Sequence, residues 1–159
     1  MLTSLKTILC IIILMHTTIT NAQSTKELKQ EISVPIIVLE KFTQNFPSIE
    51  PVWDINYQGT YNQQLVYKGK FIYNNRSSLV VYDKDGNLLV FAATVEKSEI
   101  PDKIIKYMAK NFPAFSIVEA LLVTRGTDEN TYEIAIYVND QYVVKVFTKS
   151  GDFIKTTKT

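Results

Sequence analysis

Acid–base chemistry in this chain would have to be built from carboxylates such as Asp54, Glu119 and Glu133, and no spacing draws any two of them together. A metal reading would start from Asp83-Lys84-Asp85-Gly86-Asn87. A calcium loop of the EF-hand kind needs its glycine at position six and a bidentate glutamate at position twelve. Counted from Asp83, the glycine comes fourth and position twelve is Thr94. The segment therefore reads as a turn, and no bound metal and no cofactor are expected.

Thiol and imidazole chemistry depend on the N-terminus. Lys6 supplies a positive start, Ile8 to Met15 is an unbroken apolar run, and Thr20-Asn21-Ala22 places small residues for cleavage, the pattern of a secretory leader. The apolar run is far short of the roughly 20 residues of a spanning helix. Residues 1–22 read as a signal peptide removed after Ala22, leaving no stable membrane anchor. Cys10 sits inside the apolar run, not in a lipidation context. The leader carries away the only cysteine, Cys10, and the only histidine, His16. The mature chain then has no thiol nucleophile, disulfide, Cys/His zinc site or imidazole base. With no glycine-rich phosphate loop either, no enzymatic activity is expected.

One of the 17 basic residues, Lys6, leaves with the leader, so basic and acidic residues balance at 16 each. Nucleic-acid binding would call for a basic excess on one face, and none is expected here.

The elements that must position any site are written twice. Val34-Pro35 and Asn45-Phe46-Pro47 return as Ile100-Pro101 and Asn111-Phe112-Pro113, 66 residues later in both cases. Tyr82 to Leu88 is echoed by Phe147 to Phe153 at an offset of 65. A fixed period over two copies is the mark of a duplicated supersecondary unit. After a polar lead-in over 23–32, repeat one takes 33–97 and repeat two 98–159. Neither half alone would bury enough apolar surface, so the two are expected to pack together.

Each repeat opens on a helix, with proline in its first turn, where a missing N–H costs nothing. Val38, Phe42 and Phe46, with Leu39 beside them, form one apolar stripe; Ile104, Ile105, Met108 and Phe112 form the other. Four strands follow each helix. Val52–Tyr57 alternates, placing Trp53, Ile55 and Tyr57 on one side, and Gly59–Gln63 reads as a loop. Leu65–Tyr73 and Arg76–Tyr82 are joined by Asn74-Asn75, a pair that tolerates the positive φ of a tight hairpin. Asn87–Val95 closes the set. The second set is Val118–Thr124, Thr131–Val138, Gln141–Thr148 and Phe153–Thr157, with Asn139-Asp140 at the hairpin.

A helix opened by hydrophobic-Pro and closed by Phe-Pro, then Val52-Trp53, a hairpin and Asp83-Lys84-Asp85-Gly86, resembles the PepSY-like family of exported bacterial tandem-repeat proteins. Their fold is similar to that of the β-lactamase-inhibitory protein. The resemblance covers about residues 32–157. It departs in the second repeat, where Ala120-Leu121 replaces Trp53-Asp54 and Lys149-Ser150-Gly151 lacks the paired acids. It implies an α+β protein of two helix-plus-four-stranded antiparallel meander repeats, packed into one sheet with the helices on one face. It implies export to the periplasm or beyond, and a helix-free sheet face that engages a target.

Two-residue hairpins assign the faces. One face carries Tyr67, Phe71, Val80, Tyr82, Tyr132, Ile134, Ile136, Val143 and Phe147, with Lys145 as its awkward member. This bulky set is expected under the helices. The other carries Lys68, Lys70, Ile72, Leu79 and Val81, with Glu133, Ala135, Tyr137, Tyr142, Val144 and Val146. It mixes charge with exposed apolar and aromatic groups, the composition of a recognition surface; an ordinary solvated sheet face has the same look. Lys68, Lys70, Glu133, Tyr137 and Tyr142 are the candidate partner-binding residues of a non-catalytic module that recognises a protein or peptide, as an inhibitor would. The alternative is a carrier or sensor of a small apolar ligand in a cleft between the repeats or under a helix.

Overall fold

The computed structural model describes residues 33–59, 63–126 and 129–158. The leader, the polar lead-in and the middle of the Gly59–Gln63 loop lie outside the described residues. Among the described residues no helix is long and apolar enough to cross a membrane. The elements run α1 (Ile36–Asn45), β1 (Val52–Gln58), β2 (Gln64–Tyr73), β3 (Arg76–Asp83), β4 (Leu88–Thr94), a 3₁₀ turn (Lys97–Glu99), α2 (Asp102–Asn111), β5 (Ile117–Arg125), β6 (Glu129–Val138), β7 (Gln141–Thr148) and β8 (Phe153–Lys158). All eight strands form one antiparallel sheet in the order β1 to β8.

Pro35 and Pro101 stand one position earlier than expected. Each is the residue before its helix, with ψ of 142° and 136°. Their carbonyls accept the first helical bonds, from Val38 and Leu39 and from Ile104 and Ile105. Asn74-Asn75 and Asn139-Asp140 have the same φ pair, 49° and 61°, the left-handed pair of a turn whose twist matches its strands. Gly86 (φ 82°) and Gly151 (φ 88°) end the later turns. A side-chain carbon on either would come within 3.0 Å of Ile37 or Lys103, in the first turn of each helix. Glycine there lets the β3–β4 and β7–β8 turns tuck under the helices.

The buried stripe of α1 is Val38 and Phe42, continued by Phe46, against Tyr67, Phe71, Val80 and Tyr82, with Trp53 alongside. Ile104 and Met108 of α2 pack with Ile100, Ala120, Ile134, Ile136, Val143 and Phe147. Each such side chain contributes about 1.5–3 kcal/mol when fully buried, and these two clusters hold the helices to the sheet. Leu39 is exposed rather than part of the stripe, because it lies one residue past Val38, about 100° round the helix. Trp53 packs as its phase indicates, but Ile55 and Tyr57 are exposed; they lie further along β1, the first strand of the sheet, which has a neighbour on one side only among the described residues.

Lys145 is 9% exposed. Its ammonium lies over the Phe112 ring, with Nζ 4.4 Å from the centroid, and Nζ donates to Thr156 Oγ1 at 3.0 Å on β8. Burial holds its ammonium below the usual lysine value.

Candidate functional site

The candidate residues alternate with the core residues. Lys68 and Lys70 flank Gly69, which lies opposite Trp53 and Val80; Glu133 and Ala135 flank Ile134. Successive strand residues point to opposite sides, so Lys68, Lys70, Glu133, Tyr137 and Tyr142 leave the sheet away from the aromatic and aliphatic clusters.

The floor between them differs from the expected exposed mixture. Val81, Ala135 and Val146 are buried, as are Val66, Ala92, Val123 and Thr131 in the same phase. Several of them stand side by side in cross-strand rows such as Lys70–Leu79–Ala92–Val123–Thr131. Ile72, 65% exposed, and Tyr137, 60% exposed, remain open to solvent.

The charges are arranged in pairs. Lys70 Nζ lies 3.1 Å from Asp54 Oδ2 across the β1–β2 ladder. The Arg125 guanidinium reaches along β6, donating to Thr131 Oγ1 at 3.2 Å and to the Glu133 carboxylate. Lys68 stands opposite Asp54 and Val81. Tyr137 and Tyr142 face each other edge to face, centroids 5.8 Å apart. Burial, then the adjacent Glu119 carboxylate and Tyr137, push the Tyr142 phenol above its ordinary value. Four strand spacings, about 19 Å, separate the lysines on β2 from Glu133 on β6. The structure puts the five candidates on one face along a diagonal strip, not in one row: the row through Lys70 meets β6 at Thr131, two residues from Glu133 and six from Tyr137.

Asp54, Glu119 and Arg125 complete that strip. Asp54 and Arg125 meet Lys70 and Glu133 on the adjacent strand, and Glu119 on β5 meets Tyr142 two strands away on β7, contacts that a linear pattern does not display. A depression of about 270 Å³, lined by Lys70, Leu79, Ala92 and Leu121 among others, runs along the middle. It shares Thr94 and Glu119 with a larger cleft of about 910 Å³ at the end of β4. Val95, Ile100, Phe115 and Ile117 supply apolar walls to the cleft, with Lys97, Glu119 and Tyr142 among its polar groups.

The Asp83–Asn87 segment is a closed turn. Asp83 Oδ1 accepts the Asp85 and Asn87 N–H groups, both at 2.9 Å, and Oδ2 accepts Asn87 Nδ2 at 2.8 Å. Its carboxylate is spent within its own turn. No group of three potential metal-ligating side chains is found among the described residues.

No protein-family model matches the chain, and no curated protein sequence matches it. Solved structures do. A candidate periplasmic protein of Bacteroides eggerthii superimposes with a TM-score of 0.64 at 14% identity, covering 79% of this chain and 89% of that one. A DUF2874 family protein of Bacteroides uniformis gives 0.64 at 12% identity, covering 79% and 90%. A BLIP-like protein of Bacteroides fragilis gives 0.62 at 9% identity, covering 79% and 86%. At these identities the likeness speaks for the architecture: one antiparallel sheet with two helices, in the BLIP-like fold.

Proposed function

We propose that this protein is an exported, periplasmic, non-catalytic binding module, built from two tandem helix-plus-meander repeats at 33–97 and 98–159. Both helices cover one side of the sheet, and the other side recognises a protein or peptide. Related spacing at 65 and 66 residues, equal hairpin φ pairs and glycines in matching turns support the duplication. The leader pattern and the periplasmic description of a similar structure support export.

The observation that carries the binding reading is the strip itself. Ion pairs already joined within the chain and a tyrosine pair stand over a closely filled floor of small side chains. Such a surface needs little ordering on association, and exposed tyrosine over buried small residues is the make-up of an interface centre. The BLIP-like fold makes inhibition of a target the narrower form of this reading.

The test is capture of partners from periplasmic extract with the mature protein, followed by titration of a purified partner. The double substitution Tyr137→Ala/Tyr142→Ala is expected to weaken that partner at least about tenfold, with the melting temperature little changed. Unaltered affinity in the double variant, or loss of the fold, would remove the strip from consideration.

A further inference from the structure

β5 has a bare stretch of flank inside the sheet. β4 accompanies it only from Val90 to Thr94, opposite Arg125 to Leu121, and one more bond joins the Val95 N–H to the Ala120 carbonyl at 2.9 Å. Beyond that bond the chain turns away into Lys97–Glu99. Ile117 and Glu119 keep β6 on their far flank. On the near flank, among the described residues, no backbone hydrogen bond reaches residues 117–119.

The bare flank borders the 910 Å³ cleft. Unpaired N–H and C=O groups along a strand accept the main chain of another extended segment. Val118 is an extra residue in the β5–β6 register and is 50% exposed; bulges of this kind re-aim side chains and end pairing beside functional sites. The apolar walls lead down to Ile100, which is buried, so the cleft offers a seat for an apolar side chain. Lys97 is exposed and has no ion-pair partner among the described residues. Its ammonium complements a carboxylate.

We propose that this notch accepts a short extended peptide segment, added to β5 in the place β4 vacates. An apolar side chain enters the cleft and a carboxylate meets Lys97. The proposal rests on the reading of the protein as a protein- or peptide-binding module, and it puts the segment's main chain in the notch rather than across the strip.

The test uses isotope-labelled protein and a pool of hexapeptides that alternate threonine with valine, leucine or phenylalanine and end in a free carboxylate. The expected result is amide resonance shifts over Ile117, Val118 and Glu119, with slowed hydrogen exchange at Val118, the residue of the three that β6 does not pair. The same pool with alternate amides N-methylated should bind about tenfold more weakly, the loss of roughly two hydrogen bonds. C-terminal amidation, or Lys97→Gln, should cost about two- to fivefold. Absence of shifts at those three amides at millimolar peptide overturns the proposal. So does equal binding of the N-methylated pool, which would make the cleft a side-chain or small-ligand pocket. Lys70→Ala/Tyr137→Ala separates the two readings. If it leaves partner affinity intact while the notch still binds peptide, the strip is wrong and the notch stands; if it weakens the partner while the notch stays silent, the reverse holds.

Discussion

Superposing the two hairpin turns matches each position under α1 with one under α2, and the two sets are filled in opposite ways. In the first half Trp53 stands opposite Gly69, which stands opposite Val80. In the second, Ala120 stands opposite Ile134, which stands opposite Lys145. A side-chain carbon on Gly69 would lie 3.1 Å from both Trp53 Cζ3 and Val80 Cγ2, so the indole occupies the space glycine leaves. In the second half the outer residue is small and the middle one large. The first core is mainly aromatic, with Phe42, Phe46, Phe71 and Trp53 in contact at 4.9–5.5 Å beside Val38 and Val80. The second is mainly aliphatic, centred on Ile104, Met108, Ile134 and Ile136, with Phe147 as its buried aromatic residue. The fold requires a filled layer under each helix and does not require particular residues to fill it.

The largest effect is expected from exchanging one layer. Trp53→Ala should cost about 3 kcal/mol and Gly69→Ile about 1–3 kcal/mol through overpacking. The double variant, which copies Ala120 and Ile134, should recover at least about 1 kcal/mol of the summed loss. Urea unfolding midpoints measure this; strictly additive costs would mean the two layers are not equivalent.

A smaller effect is expected at Tyr82 and Phe147, which occupy matching positions. Asn45 Nδ2 donates to the buried Tyr82 hydroxyl at 3.2 Å, whereas Asn111, the match of Asn45, donates to the Tyr107 carbonyl at 2.8 Å. Phe147→Tyr should therefore cost about 1–3 kcal/mol for a hydroxyl without a partner, against about 1 kcal/mol for Tyr82→Phe. Equal costs would show that Asn111 can be recruited.

Lys145 sharpens the same comparison, because its match is the fully buried Val80. Burial lowers its pKa, so above the folded value the unfolded chain holds the proton more tightly. Stability should then rise with pH until the ordinary lysine value, about 10.4, is passed. Lys145→Met should flatten that rise and change stability at neutral pH by less than about 1 kcal/mol. An unchanged alkaline slope would assign the effect elsewhere.

The smallest difference lies in the turns. Burial raises the Asp83 carboxyl, but the bonds from Asn87 and Asp85 outweigh it and leave the group below the usual carboxylate range. Its contribution is complete above the unfolded value of about 3.9 and is lost as pH falls through the folded one. Thr148, its match, accepts the Asp152 N–H without a titrating group. Asp83→Thr should reduce the loss of stability below about pH 4 by a few tenths of a kcal/mol, read from denaturation at stepped pH.

Much of the fold was legible because its punctuation is local. Pro35, Pro47, Pro101 and Pro113 bound the helices, and Asn74-Asn75 and Asn139-Asp140 set hairpin register, from which the two faces follow by counting. The site was legible only as a list of side chains on one face. Which charges join across strands, Lys70 with Asp54 or Arg125 with Glu133, depends on the β1–β2 and β5–β6 registers, which no local turn signal reveals. The burial of Ala92, Val123 and Val146 is not carried by the alternation, which marks the side of the sheet and not the exposure. The cleft arises because β4 stops while β5 continues, and strand ends are poorly marked in sequence.

The sheet order β1 to β8 follows the order of the chain, and that has a kinetic consequence. Every strand pairs with one already present when it arrives, and none must wait for a later strand to be threaded between earlier ones. Loop closures stay short except at the β4–β5 step, which spans the 3₁₀ turn and α2. A polypeptide delivered from its N-terminus through a narrow channel could lay down this sheet one ribbon at a time, and the β4–β5 step would set the pace.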